Sequence, residues 1–491
     1  MQVVPDTHYL LVNPTIHSGH FIHAQIEGLL QAADVVHLEL EAGEAVRLRI
    51  ICPMAPKSIT QIFPIAPSVR AIWMPPHKQL VAKNILLYSV LGLSVRNGGR
   101  MKTYRVAILG CRDRGTAAAR VYHAHPRTEV VGLCDLLEDR LNELGDELKV
   151  SARFTDLDEM IRQTEPDIVA IPTAPALHAE LSLRVLEHGV NIDVEKPMGM
   201  NLTETDAVMA KATQKGVHVA VHHQWRLSGR TQAIDKAYKA GKIGDLRYIY
   251  ASDKGYYGGF GLMEIGTHLL THVIKFGGHC RSVTAHVTTR GRPITPHDVL
   301  PAPRGNGIIA GDHVTATLQF YNNVTATLLH HRFDKLDLNA HVVELYGTEG
   351  RLMWHPHGSW WLPNPHVLPV NNLNQWQALE PIYPDSFAQA LESIPVKHHI
   401  VEGDYWFVEE YVRALDEGRE HECSGAEGRH VVEIIMGIFE AAAYGTRIDL
   451  PQPNRDHPLL RWRKEAGLEP PDPMPTPDKE WLVEENRRLG R

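Results

Sequence analysis

The chain has 491 residues, 43% of them hydrophobic and 22% charged, which gives room for two or three globular domains of ordinary composition. Its net charge of −8 excludes a chain that neutralises nucleic-acid phosphates through a basic face. Five scattered cysteines show neither disulfide nor zinc spacing, so a reducing, cytoplasmic setting is expected.

Residues 1–100 come first and are compositionally odd. Acidic residues stop at Glu44 and resume at Asp113, Pro and Met cluster in "CPMAPK" and "WMPPHK", and hydrophobic periodicity is poor. The apolar run "ILLYSVLGLSV", from Ile85 to Val95, is too short to span a bilayer. This segment is read as a poorly structured extension. Gly98-Gly99 just before Met101 is compatible with a coding sequence that carries a ribosome-binding core, and Met101 is read as the functional start.

From Tyr104 the pattern becomes regular. "YRVAIL", "EVVGLC", "DIVAI", "VNIDV" and "VHVAV" are apolar strands separated by helix-like segments, which predicts a parallel sheet covered on both faces over 101–224. The first strand runs into Gly110-Cys111-Arg112-Asp113-Arg114-Gly115. This is a G-x-G-x-x-G turn with Arg112 in the place of the middle glycine. Asp135 ends the second strand about 20 residues on, where an acid binds the ribose of NAD and repels the 2′-phosphate of NADP. Arg112 and Arg114 are cations that can reverse that preference, so NADP stays open.

The fourth of these strands runs on into Glu-Lys-Pro within "GVNIDVEKPMGMN", from Gly189 to Asn201. Further on stand "MEIGTHLLTHVIKFGG" and then "DHVTATLQF" and "VTATLLHHRF" around Tyr321-Asn322-Asn323. The last two alternate with period two and predict antiparallel strands within an α+β domain over 225–451. Glu264, His268 and His272 recur at four-residue spacing on a predicted helix and share one face. Residues 452–491 are Pro-rich and charged, and read as an extended tail with a short helix.

The Glu195-Lys196-Pro197 strand end, placed after a Rossmann turn, resembles the glucose–fructose oxidoreductase / inositol dehydrogenase (Gfo/Idh/MocA) family. "IPTAPALHAE", "GKIGDLRYI" and the helix with Glu264 and His268 follow in that family's order. The resemblance covers about Lys102 to Pro451. Glu264 and Thr271 stand where the family usually has Asp.

The resemblance implies an NAD(P)-dependent oxidoreductase that moves a hydride between a nicotinamide cofactor and a secondary alcohol of a sugar, inositol or related polyol. It implies Lys196 as donor to the reacting oxygen, His268 as acid or base, and Glu264 as their companion. The cofactor set is Gly110, Cys111, Arg112, Asp113, Arg114, Gly115, Asp135, Pro172, Thr173, His178, Glu195, Lys196 and Gln224. Trp225 and Arg226 join Lys196, Glu264 and His268 on the substrate side, although "HHQWR" also reads as a packed hinge between domains. Two histidines and a carboxylate at this spacing are a metal-ligand pattern as well. The family works without metal, so none is expected. A homodimer or homotetramer through the antiparallel sheet is expected, with no nucleic-acid or membrane partner. The alternatives are an NAD-dependent glycosidase of the same fold and a non-catalytic ligand sensor.

Overall fold

Aliphatic and β-branched runs buried on both faces can only be strands of a covered parallel sheet, and that is what the computed structural model contains. It describes residues 102–366, 375–391 and 401–472, together with 480, 481 and 483. Before these it describes four strands, β1 (His8–Tyr9), β2 (Val35–Glu41), β3 (Ala45–Ile51) and β4 (Ile59–Pro64), paired in the order β1-β4-β3-β2. The rest of the expected extension over 1–100 lies outside the described residues. Contacts divide the chain into two units, 1–101 and 102–491.

The second unit opens with β5 (Tyr104–Leu109), α1 (Asp113–Ala124), β6 (Thr128–Cys134), α2 (Glu138–Leu148), β7 (Arg153–Phe154) and α3 (Leu157–Thr164). It continues with β8 (Ile168–Ile171), α4 (His178–Glu187), β9 (Asn191–Val194), α5 (Leu202–Lys215) and β10 (Val219–Val221). All six strands are parallel in the order β10-β9-β8-β5-β6-β7. This doubly wound order reverses between β5 and β8, and ligands bind in the crevice at the carboxyl ends of those two strands. The two-residue β7 escapes sequence reading because it is too short to show a period.

A 3-10 turn (Gln224–Leu227) and α6 (Gly229–Lys239) lead to β11 (Leu246–Ser252), α7 (Gly258–Glu264) and α8 (Gly266–Gly277). Then follow β12 (Cys280–Thr289), β13 (Arg292–Pro293), β14 (Leu300–Pro301), β15 (Ile308–Ile309), β16 (His313–Phe320) and β17 (Thr325–His331). β18 (Val342–Gly347), β19 (Arg351–His355), β20 (Gly358–Leu362) and β21 (Gln377–Ala378) complete a sheet ordered β13-β12-β16-β17-β11-β18-β19-β20-β21. The strict alternation of buried and half-buried residues along β16 and β17 is the period-two pattern of the sequence. The sheet is antiparallel except for the parallel pair of β11 and β17.

The remaining helices are α9 (Phe387–Leu391), α10 (Val401–Glu417), α11 (Gly425–Tyr444) and α12 (Pro458–Glu465), with the short β22 (Ile448–Asp449) at the edge of β12. α10 packs its Tyr405, Phe407, Val408 and Tyr411 into the core of the parallel-sheet domain, so the chain returns to its first domain after completing its second. In the tail, Leu459 and Trp481 are buried, with Trp481 edge-on to Tyr257 at 5.4 Å.

Candidate active site

The turn between β5 and α1 is shaped by its two glycines. Gly110 has φ +108°, a conformation that L side chains rarely adopt. A Cβ on Gly115 would lie 1.8 Å from the Gly110 carbonyl oxygen, so only glycine lets the helix start this close to the strand. The Cys111 amide donates to Asp135 Oδ2 at 2.6 Å and the Leu137 amide to Oδ1 at 2.8 Å. Asp135 is thus fixed beside the turn. Arg112 and Asp113 are exposed at its rim.

Arg114 turns the other way. Its Nε donates to Glu195 Oε1 at 2.6 Å, and its two terminal nitrogens reach Asp404 at 3.2 and 3.3 Å. Asp404 comes from α10 and also faces His222 Nε2 at 3.0 Å, while His222 Nδ1 lies 2.9 Å from Asp193 Oδ1 and Tyr122 donates to Asp193 Oδ2 at 2.9 Å. The network is buried beneath the ends of β9 and β10. Burial would push Glu195 up, but Arg114, His222 and Lys196 together hold its carboxyl down to about 2. Burial would likewise depress His222, yet Asp193 and Asp404 lift it to about 10, so it is an imidazolium at neutral pH. Arg114 therefore anchors the Glu-Lys-Pro loop. His178 has a similar part: its Nδ1 is 2.7 Å from the Pro197 carbonyl and its Nε2 is 3.1 Å from that of Thr173.

Lys196 leaves this platform toward the second domain. Its Nζ donates to the Glu264 carbonyl at 3.1 Å and lies 3.3 Å from Glu264 Oε1. The sequence spacing puts Glu264, His268 and His272 on one helix face. In the structure α7 ends at Glu264 and α8 starts at Gly266, with Ile265 between them in helical conformation, and the Glu264 carboxylate lies against Lys196. His268 is buried and stacked on Trp225 with ring centroids 4.3 Å apart, and its Nδ1 has no partner among the described residues. Burial, reinforced by the nearby charge of Lys196, keeps His268 well below the usual histidine range. It is a neutral base at physiological pH. His223, edge-on to His268 at 5.9 Å, is pushed down to about 3 by burial, Lys196 and Arg226.

Two other residues are occupied elsewhere. Arg226 donates to the Thr271 carbonyl at 2.9 Å and pairs with Glu427 at 3.1 Å and Glu422 at 3.4 Å. His272 faces the His268 carbonyl at 2.8 Å and Thr231 Oγ1 at 3.0 Å, and it holds the turn of α8 beneath His268. Asn306, Asp404, Asp193 and Tyr122 belong to the site's framework and carry no motif in the sequence.

Several groups around the crevice suit a bound dinucleotide. Thr173 Oγ1, both ring nitrogens of His223 and Gln224 Oε1 are buried without partners among the described residues. Buried polar groups are normally paired, so these are groups a ligand completes. The turn over 110–115 suits a pyrophosphate, Asp135 a ribose, and Thr173, His223 and Gln224 the polar edge of a nicotinamide. Among the described residues, no group of three or more metal-ligating side chains converges, and no helix is long and apolar enough to cross a membrane.

Comparison with known proteins agrees with this geometry. Residues 104–223 match the NAD-binding Rossmann fold of the GFO/IDH/MocA oxidoreductase family, and residues 251–450 match its C-terminal alpha/beta domain. D-apiose dehydrogenase of Paraburkholderia graminis is 26% identical over 144 residues, 29% of this chain and 38% of that one. Glycosyl hydrolase family 109 protein 1 of Akkermansia muciniphila is 25% identical over 228 residues, 45% of each chain. The matched part is thus less than half the length of either relative. A levoglucosan dehydrogenase solved with NADH and levoglucosan superposes with a TM-score of 0.58 over 71% of this chain and all of that one, at 19% identity, which shows a shared fold.

Proposed function

The chain belongs to the Gfo/Idh/MocA oxidoreductase family, and from that premise we propose that it is an NAD-dependent dehydrogenase of a secondary alcohol on a sugar, inositol or related polyol. The observation that carries this reading is the meeting of Lys196, from the end of the cofactor domain's β9, with Glu264 and the neutral His268 of the second domain. Alcohol oxidation needs a hydride acceptor and a proton acceptor on the two sides of one C–O bond. The nicotinamide, when bound, supplies the hydride acceptor. His268, neutral and stacked on Trp225, takes the hydroxyl proton. Lys196 donates a hydrogen bond to the same oxygen and stabilises its developing negative charge. Glu264 holds the ammonium of Lys196 in place. Trp225, half-buried beside His268, offers an aromatic face to a sugar ring.

In this reading Gly110, Cys111, Arg112, Asp113 and Gly115 form the pyrophosphate cradle, and Arg114 and His178 support it from behind. The protein works in a reducing compartment, consistent with the free thiols of Cys111, Cys134, Cys280 and Cys423. It assembles as a homodimer or homotetramer through the open face of the second sheet. The domain limits proposed are 101–224 for the cofactor and 225–451 for the substrate, with a tail from 452.

The test is a screen of polyols and aldoses with NAD, reading NADH release. Steady NADH formation with an alcohol supports the proposal; absence of turnover with every alcohol, despite measured NAD binding, rejects it. The Akkermansia relative favours a second reading, in which NAD is held and recycled during glycoside cleavage. That reading predicts sugar release from a glycoside without net NADH.

A further inference from the structure

The loop between β14 and β15 has no counterpart among the motifs of the sequence, yet it enters the site. Arg304, Gly305 and Gly307 all have positive φ, at +59°, +71° and +78°. This contorted backbone turns Asn306 inward until it is completely buried. The Asn306 side-chain amide donates to Glu264 Oε2 at 3.0 Å and approaches the Pro303 carbonyl at 3.4 Å. Its orientation follows from chemistry: an ionised carboxylate only accepts, so the NH2 must face Glu264. The loop also leans on the cofactor domain. A Cβ on Gly305 would lie 3.1 Å from that of Ala176, and one on Gly307 would lie 3.3 Å from Met200 Sδ.

Resting on the reading of Lys196 as the group that meets the substrate oxygen, we propose that Asn306 is a positioning residue that fixes the Glu264 carboxylate so that its other oxygen is presented to Lys196 Nζ. Glu264 is a longer side chain than the aspartate usual at this place in the family. A longer carboxylate has one more rotatable bond, and Asn306 removes that freedom by taking Oε2 while Oε1 stays 3.3 Å from Lys196. With Asn306 in place the lysine is pointed by a carboxylate that cannot swing away.

The experiment measures how fast Lys196 is acetylated by acetic anhydride in the full-length protein at one mildly alkaline pH, quantified by peptide mass spectrometry. It needs neither substrate nor turnover, so its result is independent of whether any alcohol proves to be oxidised. Asn306→Ala removes the donor and leaves Glu264 free to turn away, and Lys196 labelling rises about tenfold, the size of one charge-assisted hydrogen bond. Asn306→Ser keeps a donor and restores most of the protection. In a Glu264→Gln background, which already lacks the charge, Asn306→Ala adds nothing. NADH affinity, measured by fluorescence, verifies that each variant is folded. Unchanged Lys196 labelling in folded Asn306→Ala overturns the proposal. So does an equal effect of the Ala and Ser substitutions, or a full additional effect of Asn306→Ala in the Glu264→Gln background, since each means the loop acts without Glu264.

Discussion

Arg114 donates to Glu195 across 2.6 Å, which ties the first turn of the helix behind the phosphate turn to the residue that precedes Lys196. The glycine turn and Lys196 are therefore mounted on one ion pair, and Asp404 completes it from α10. Placement of Lys196 depends on a residue more than two hundred positions later in the chain.

Removal of Asp404 tests how much this mount contributes. Asp404 is 1% exposed, and its loss leaves Arg114 and His222 without a shared counter-charge. Breaking a buried ion pair from one side costs about 3–5 kcal/mol; Arg114 is 28% exposed and partly solvated, so the lower end applies. Asp404→Ala is expected to lower unfolding stability by about 3 kcal/mol, read from urea denaturation, and to weaken NAD binding with it. An undiminished midpoint with native NAD affinity would show that α10 is dispensable to the site.

The same network sets a pH dependence with a definite sign. His222 is raised to about 10 in the folded state, above its ordinary 6.5. Its contribution is fully present below about 6.5 and is lost as pH rises through 10. Glu195 is held at about 2, below its ordinary 4.5, so its contribution is present above 4.5 and is lost as pH falls toward 2. Stability is therefore expected to decline on both sides of a plateau near pH 5–6. His222→Gln should flatten the alkaline decline and leave the acid decline in place. Thermal melts of both proteins across pH distinguish these limbs, and an unchanged alkaline slope in His222→Gln would assign it to other groups.

Cofactor preference follows from which charges are free at the turn. Arg114 is engaged by two carboxylates, while Asp135 stands beside the turn, held by the Cys111 amide. A 2′-phosphate would meet a carboxylate there, and like charges at such a distance cost several kcal/mol. NAD is expected to bind at least about tenfold more tightly than NADP, and Asp135→Ala is expected to narrow that ratio. Arg112, exposed at the rim, is the cation that opposes this preference. Titrating both dinucleotides at one ionic strength decides between them, and tighter NADP binding by the parent protein would assign the pocket to Arg112.

Local features of the site were legible in the sequence because local chemistry dictates them. Gly110 and Gly115 are required by a backbone turn within six residues, and the period-two alternation of β16 and β17 is imposed by the pleat. The Glu195-Lys196-Pro197 strand end pointed to the crevice for the same reason. What stayed hidden depends on distant chain segments. Asp404 reaches Arg114 across 290 residues and Asn306 reaches Glu264 from a loop whose left-handed residues give no apolar period. Arg226 looked like a substrate ligand from its place after the last strand. Its ion pairs with Glu422 and Glu427, two hundred residues on, were not legible from that place.

The central expectation concerns Lys196 and His268 together. Both are aimed at one oxygen in the proposed reaction, the lysine as donor to it and the neutral histidine as acceptor of its proton. Lys196→Ala removes a charged hydrogen bond that strengthens as negative charge develops, and losses of this kind reach about 10²–10³ in rate. His268→Ala removes the proton acceptor and is expected to cost about 10²–10⁴. Because they serve one atom and lie close enough for the lysine to depress the histidine, their losses should not multiply: the double variant should retain more activity than the product of the single losses. The lysine also restrains the pKa of His268, so Lys196→Ala should shift the acid limb of the rate profile upward in pH as His268 becomes easier to protonate. His268→Ala should leave NAD affinity near its parent value, since the residue lies on α8 of the second domain. Rates with the screened alcohol, taken for the two single variants and the double variant across pH, test each point. Full multiplicativity in the double variant, with an unmoved acid limb in Lys196→Ala, would separate the two residues and leave Glu264 to act with only one of them.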